Sequence, residues 1–156
     1  MPREPKNASP LEKLKHYCAY QERCHAEVKE KLRKLEVPFY EHDGIVAVLI
    51  AENFLNEERF AKLFARSKMR QKQWGVQKIK QALKQKQVSD YCIRMALKEL
   101  EQEEYAGILQ KTAERKWLTL QHETPYIQRN KLAQYLLRKG FESEVVWRTV
   151  ADLVAD

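Results

Sequence analysis

The sequence predicts an all-α chain of three tandem three-helix, helix-turn-helix-like repeats in an elongated, curved array. Three observations predict it: a composition of helix formers, an apolar spacing that recurs three times, and helix-start and helix-stop residues placed between the recurrences. Leu, Lys, Glu, Gln and Ala dominate, with only 4 Gly and 5 Pro in 156 residues, which suits helices and is too poor in turn formers for a β-sandwich. At 44% hydrophobic the chain is too apolar for disorder and long enough to bury a core, as one domain or as a row of small modules.

The recurring unit is Val28-x3-Leu32-x4-Val37, which returns as Ile79-x3-Leu83-x4-Val88 and as Leu132-x3-Leu136-x4-Phe141. Downstream, Val46 and Leu49 match Leu97 and Leu100, then Val150 and Leu153, at the same offsets. Polar His42 stands where Ile93 and Val146 sit and weakens that series. Any amphipathic helix offers one such pair, but several aligned positions in three copies mark a repeat. A helix with one apolar stripe must pack against others, so three helices per copy make a small core, and a tandem array offers a binding surface.

The elements follow in chain order, with ends given to within ~2–4 residues. Residues 1–8 read as a flexible leader. Ser9-Pro10-x-Glu12 is a capping box with Pro at the first helical position, opening a helix over about 10–20. Helices over about 25–35 and 40–53 complete a first repeat, 9–54. Gly44 inside the third helix costs about 1 kcal/mol relative to Ala. Asn56 caps a helix over about 57–73, where Glu57 and Glu58 suit the positive end of the dipole. Gly75 is expected to end that helix in a left-handed conformation. Helices over about 75–86 and, behind the Ser89-Asp90 cap, 90–102 complete a second repeat, 55–102. A third repeat, 103–156, holds helices over about 104–120, 125–139 (opened by Thr124-Pro125 and ended by Gly140) and 144–154. Residues 101–106 are a candidate hinge, with a continuous helix the equal alternative.

Charge is concentrated in the middle repeat. No acidic residue occurs between Arg59 and Ser89, a window that carries +10 in a chain whose total is +7, leaving −3 for the remainder. A solvated helix face interleaves both signs, because acid–base pairs one turn apart stabilise helices. Here like charges are set side by side, and the neutral residues among them are glutamines that can hydrogen-bond phosphates or bases. The pattern points to a polyanion, with Arg66, Lys68, Arg70, Lys72, Lys78, Lys80 and Lys84 as candidate contacts. Trp74, at the seam between two helices, is read first as a hinge-packing residue and second as a base-stacking platform.

Catalysis and metal binding find little support. His16, Cys18, Cys24 and His25 lack the paired spacing that places two ligands on one metal, so no metal is expected. No Gly-rich elbow or phosphate-cradling loop is present, since Gly44, Gly75, Gly107 and Gly140 stand far apart. Glu57-Glu58 and Glu103-Glu104 are explained by helix starts. No enzyme activity and no cofactor are expected. The odd cysteine count, with no secretory signal, fits a reducing cytoplasm. The run Ile45–Ala51 is far too short to span a bilayer.

The segment Asn56-Glu57-Glu58-Arg59-Phe60-Ala61, then Arg66-Ser67-Lys68-Met69-Arg70 and Trp74-Gly75-x3-Ile79-x3-Leu83, resembles the central signature of the RecX regulatory proteins. Arg138-Lys139-Gly140-Phe141 resembles their third-repeat motif, and Arg23-Cys24-x2-Glu27-Val28-x3-Leu32 their first. The resemblance covers roughly residues 11 to 154. Two positions depart from it: Cys24 stands where the first-repeat motif has Ser, and Glu142 intervenes before Ser143. Both concern helix starts. The resemblance implies three trihelical repeats, no catalytic residues, and binding to RecA recombinase filaments on single-stranded DNA. It implies restraint of ATP hydrolysis, strand exchange and co-protease activity, and so a role in DNA repair, recombination and the SOS response. A monomer is expected. The rival expectations are a helix-turn-helix protein that reads duplex DNA and a protein-only scaffold whose basic patch meets an acidic protein surface.

Overall fold

The computed structural model describes residues 3–155. Met1 and Pro2 of the expected leader, and Asp156 at the end of the expected third repeat, lie outside the described residues. Among the described residues the secondary structure is nine α-helices and no strand, as the composition predicts. They are α1 (Pro10–Tyr20), α2 (His25–Lys34), α3 (Phe39–Ala51), α4 (Glu57–Lys72), α5 (Val76–Gln85), α6 (Asp90–Lys98), α7 (Gln102–Leu118), α8 (Pro125–Arg138) and α9 (Ser143–Leu153). No described helix is long and apolar enough to cross a membrane.

The helix starts are those the sequence marks. Asn56 Oδ1 accepts from the Arg59 amide at 2.9 Å, Ser89 Oγ from Cys92 at 3.2 Å, and Ser9 Oγ from Glu12 at 3.2 Å. Thr124 Oγ1 accepts from Ile127 at 3.4 Å. At Cys24, where a hydroxyl cap is absent, the Glu27 carboxylate accepts from the Cys24 amide at 3.1 Å. These bonds satisfy amides that a helix start leaves without partners.

The helix stops carry the repeat. Val28, Ile79 and Leu132 are fully buried, as are Leu32, Leu83 and Leu136. In all three copies a left-handed residue follows four positions after that leucine: Glu36 (φ 57°), Gln87 (φ 62°) and Gly140 (φ 99°). The next residue then returns its amide to the leucine carbonyl, Val37 to Leu32 and Val88 to Leu83 at 3.1 Å, Phe141 to Leu136 at 3.2 Å. This is one helix-ending motif, with its apolar contact, built three times. His42, the polar residue in an apolar series, is buried with Nε2 2.8 Å from the Val37 carbonyl oxygen, so its polarity is satisfied locally.

Two expectations at helix ends are corrected. Gly75 does not end α4 in a left-handed conformation; Gln73 does, at φ 54°, and Trp74 returns its amide to Lys68 O at 3.2 Å. The helix after Ser89 stops at Lys98, not near 102, so Leu100 lies beyond it and α7 starts separately at Gln102. No Gly or Pro marks that stop.

The contacts divide the chain into two compact units. Unit 1 comprises residues 1–63 and 83–96, and unit 2 residues 64–82 and 97–156, so the divisions fall inside α4, α5 and α6. In unit 1, α1, α2 and α3 close on Leu14, Cys18, Val28, Leu32, Val37, Leu49 and Leu55. Arg59 ties this unit together, with Nε 2.6 Å from Glu22 Oε1 and its terminal nitrogens donating to the side chain and main chain of Asn53. In unit 2, α7, α8 and α9 close on Leu109, Ala113, Leu132, Leu136, Phe141, Val146 and Val150.

Candidate functional site

Within unit 2 the second half of α4 and the first half of α5 meet the end of α8 through main-chain groups. The Gly75 amide donates to Lys139 O at 2.8 Å and the Gln77 amide to Gly140 O at 2.9 Å. Both glycines are needed for this approach. A Cβ on Gly75 would come closer than 3.0 Å to the Gly140 and Phe141 backbone, and one on Gly140 would stand 2.6 Å from the Lys78 nitrogen. Glu36 and Gln87 adopt the same left-handed turn with full side chains, so close packing, rather than dihedral angle alone, selects glycine in the third copy.

Tyr105 of α7 braces the same joint. Its hydroxyl accepts from the Val76 amide at 3.1 Å and donates to Glu142 Oε1, and its ring lies 5.6 Å from that of Phe141. Burial, and then the bond to Glu142, hold the Tyr105 hydroxyl well above the usual phenol range. Glu142, the departure noted in the sequence, makes no side-chain cap for α9 and serves Tyr105 instead.

On this frame the lysines gather around Trp74. Its half-buried ring carries Lys78 Nζ 4.7 Å and Lys68 Nζ 5.1 Å from the centroid. Each such contact contributes about 0.5–1 kcal/mol at an exposed site. The packing role expected for Trp74 therefore includes holding two ammonium groups in place. Lys139 joins them from α8, donating from Nζ to Lys72 O at 2.7 Å and so satisfying the last carbonyl of α4. Burial, followed by the nearby charges of Lys78 and Lys72, pulls the Lys139 ammonium below the usual lysine range.

The predicted residues divide by what they touch. Lys68, Lys72, Trp74 and Lys78 come together, with Lys139 added to them. Arg66 and Lys80 are exposed on α4 and α5. Arg70 is engaged: its Nε lies 2.8 and 3.1 Å from the two Glu104 oxygens, and the pair holds the Glu104 carboxyl below the usual range. Lys84, in the last turn of α5, is exposed and falls within unit 1. Among the described residues, Arg70 is the candidate that forms an ion pair with a carboxylate, and Arg66 adds its charge to the field that lowers Glu104; the cations of Lys68, Lys72, Lys78, Lys80 and Lys84 have no carboxylate partner. Cations left unpaired at this density are held at an electrostatic cost that an anion relieves. The charge window does not include Lys139, which lies far along the chain in the Arg138-Lys139-Gly140-Phe141 motif and reaches Lys72 only through the fold.

The RecX-like signatures are themselves mostly structural. Asn56 caps, Glu57 accepts from the Ser89 amide at 2.9 Å, and Phe60 and Ala61 are buried. Arg23 is buried, donating to Tyr17 O at 3.1 Å with its guanidinium 3.7 Å over the Tyr17 ring.

Comparison with known proteins agrees with this architecture. The family model for the second three-helix domain of RecX matches residues 56–97, and that for the third three-helix domain of RecX matches residues 103–150; together they take in more than half of the chain. The chain is similar to Regulatory protein RecX of Clostridium beijerinckii, 28% identical over 131 residues, covering 83% of this chain and 61% of that protein. It is 28% identical over 131 residues to Regulatory protein RecX of Oceanobacillus iheyensis, covering 84% and 48% respectively. The chain thus spans less than two thirds of the length of these relatives. The crystal structure of RecX from Lactobacillus salivarius superposes with a TM-score of 0.84 at 26% identity, over 92% of this chain and 94% of that one. A second RecX crystal structure shares the fold, with a TM-score of 0.83 at 23% identity over 92% and 70%.

Proposed function

The chain belongs to the RecX family, and on that premise we propose that it is a regulatory protein that binds RecA filaments on single-stranded DNA and mainly inhibits them. The activities restrained are ATP hydrolysis, strand exchange and co-protease action. In this reading the protein works as a cytoplasmic monomer of three repeats, 9–54, 55–102 and 103–156. Arg66, Lys68, Lys72, Trp74, Lys78, Lys80 and Lys84 face the filament's phosphates or acidic surface. The observation that carries the reading is the cluster of lysines without carboxylate partners around Trp74, held by a main-chain joint. Exposed cations distributed over two helices suit the continuous charge of a filament better than the single recognition helix of a duplex reader.

The test is ATP hydrolysis by recombinase on single-stranded DNA, titrated with this protein. Lys68, Lys72 and Lys80 changed together to Glu should abolish inhibition while helicity is kept. Arg70 is left in place, because a glutamate there would face Glu104 and confound binding with stability. Full inhibition by that triple variant, or no inhibition by the unmodified protein at stoichiometric concentration, overturns the reading.

A further inference from the structure

Unit 2 carries a second cationic and aromatic station that the reading above does not use. A cavity of about 220 Å³ is lined by Gln73, Thr112, Arg115, Lys116, Thr119 and Tyr135. Lys116 Nζ lies 5.0 Å from the Tyr135 ring centroid. The Thr119 hydroxyl donates to Lys116 O at 2.6 Å, and the Gln73 side-chain amide to Arg70 O at 3.0 Å, so two walls are fixed. Among the described residues neither Arg115 nor Lys116 has a carboxylate partner. Their place in the last turn of α7 suits the negative end of the dipole, which accounts for positive charge there. It does not account for a cavity between them and an aromatic ring.

The position of the cavity connects it to the lysine cluster. Gln73 immediately precedes Trp74, and Tyr135 stands one turn before Lys139, about 6 Å along α8. Trp74 with Lys68 and Lys78, and Tyr135 with Lys116, are therefore two like stations joined through Gln73 and α8. The cavity is smaller than the roughly 300–1,000 Å³ of sites that enclose a small molecule, and suits one segment of a chain passing over it.

We propose that this cavity is a second station for single-stranded nucleic acid: a backbone phosphate sits between Arg115 and Lys116, with its nucleotide against Tyr135, next to the nucleotide held at Trp74. The assignment rests on the reading that the Trp74 cluster faces a nucleic-acid strand. A phosphate held by paired cations and an aromatic face that accepts any base give affinity without sequence preference.

The experiment is binding of a fluorescent oligothymidylate to the full chain across a range of salt concentrations, with no recombinase present. Arg115→Gln together with Lys116→Gln removes the one phosphate contact and should make the slope of log affinity against log salt shallower by about 0.7, the value per single-strand phosphate contact. An unchanged thermal melt confirms that the variant is folded. An unaltered slope and affinity overturn the proposal. Displacement of the oligonucleotide by inorganic phosphate at matched ionic strength, in the unmodified chain and not in the double variant, also overturns it in favour of a free-phosphate site. If the unmodified chain ignores the oligonucleotide yet inhibits recombinase, the station falls and the regulatory reading stands. If the Lys68, Lys72 and Lys80 reversal leaves inhibition intact, the regulatory reading fails whatever the salt slope.

Discussion

Gly75 and Gly140 meet backbone to backbone, far apart in sequence and with no side chain on either. The amide of Gly75 reaches Lys139 O, that of Gln77 reaches Gly140 O, and the space a Cβ would need on either glycine is already filled. The joint fixes the Trp74 turn against the end of α8, and with it the lysines of the candidate site.

Gly140→Ala is expected to destabilise the protein by about 2–5 kcal/mol, combining left-handed strain with overpacking against Lys78. Gly44→Ala should act in the opposite direction, since Gly44 lies within α3 with nothing within 4 Å of a Cβ. There a gain of about 0.5–1 kcal/mol is expected. Urea unfolding of the two variants checks both signs, and equal effects would contradict the close-packing account.

Tyr105→Phe removes the acceptor of the Val76 amide and the donor to Glu142, at about 1–2 kcal/mol near neutral pH. The raised Tyr105 pKa adds a pH signature. The folded state keeps the proton above the ordinary phenol pKa of about 10, so this contribution is complete below that pH and is lost as pH rises above it. Denaturation between pH 9 and about 11.5 should show a steeper alkaline loss of stability in the unmodified chain than in Tyr105→Phe.

Arg59→Ala should weaken unit 1 by about 1–2 kcal/mol, through three hydrogen bonds to Glu22 and Asn53 that stay partly solvated. Although Arg59 lies in the basic window, oligonucleotide binding at matched fraction folded should be unchanged. A loss of binding comparable to that from lysine reversal would place Arg59 in the interface instead.

Cys18 should resist thiol reagents at neutral pH. It is 5% exposed, and burial pushes its thiol up to about 11, leaving little of the reactive thiolate. Cys24 is buried too, and its thiol is raised by the same cause. Iodoacetamide labelling followed by mass spectrometry should modify both in denaturant and neither in the native protein.

The positions legible in the sequence are those whose signal is local. Val28, Leu32 and Val37 and their two sets of equivalents predict buried stripes, and Asn56, Ser89 and Thr124 predict caps, because spacing and cap chemistry act within a turn or two. The left-handed stops at Glu36, Gln73 and Gln87 carry no glycine, so nothing in the residue type announces them. Gly75 was legible as special but not for its reason, which is a contact with a distant segment. The charge window located the candidate site, yet the grouping inside it depends on pairing across helices. Arg70 with Glu104, Lys139 with Lys72, and Lys116 with Tyr135 each join separate elements.

Lys139 gives the site a link to protons. In the free protein its ammonium is partly withdrawn from solvent and lies near Lys72 and Lys78, so its proton is held less firmly than usual. A phosphate placed among these lysines would strengthen that hold, and by thermodynamic reciprocity protonation would strengthen the hold on the phosphate. Anion binding and proton uptake are then two measurements of one free energy. The heat of binding at alkaline pH would vary with the ionisation enthalpy of the buffer, and affinity would fade with rising pH before an ordinary surface lysine loses its charge.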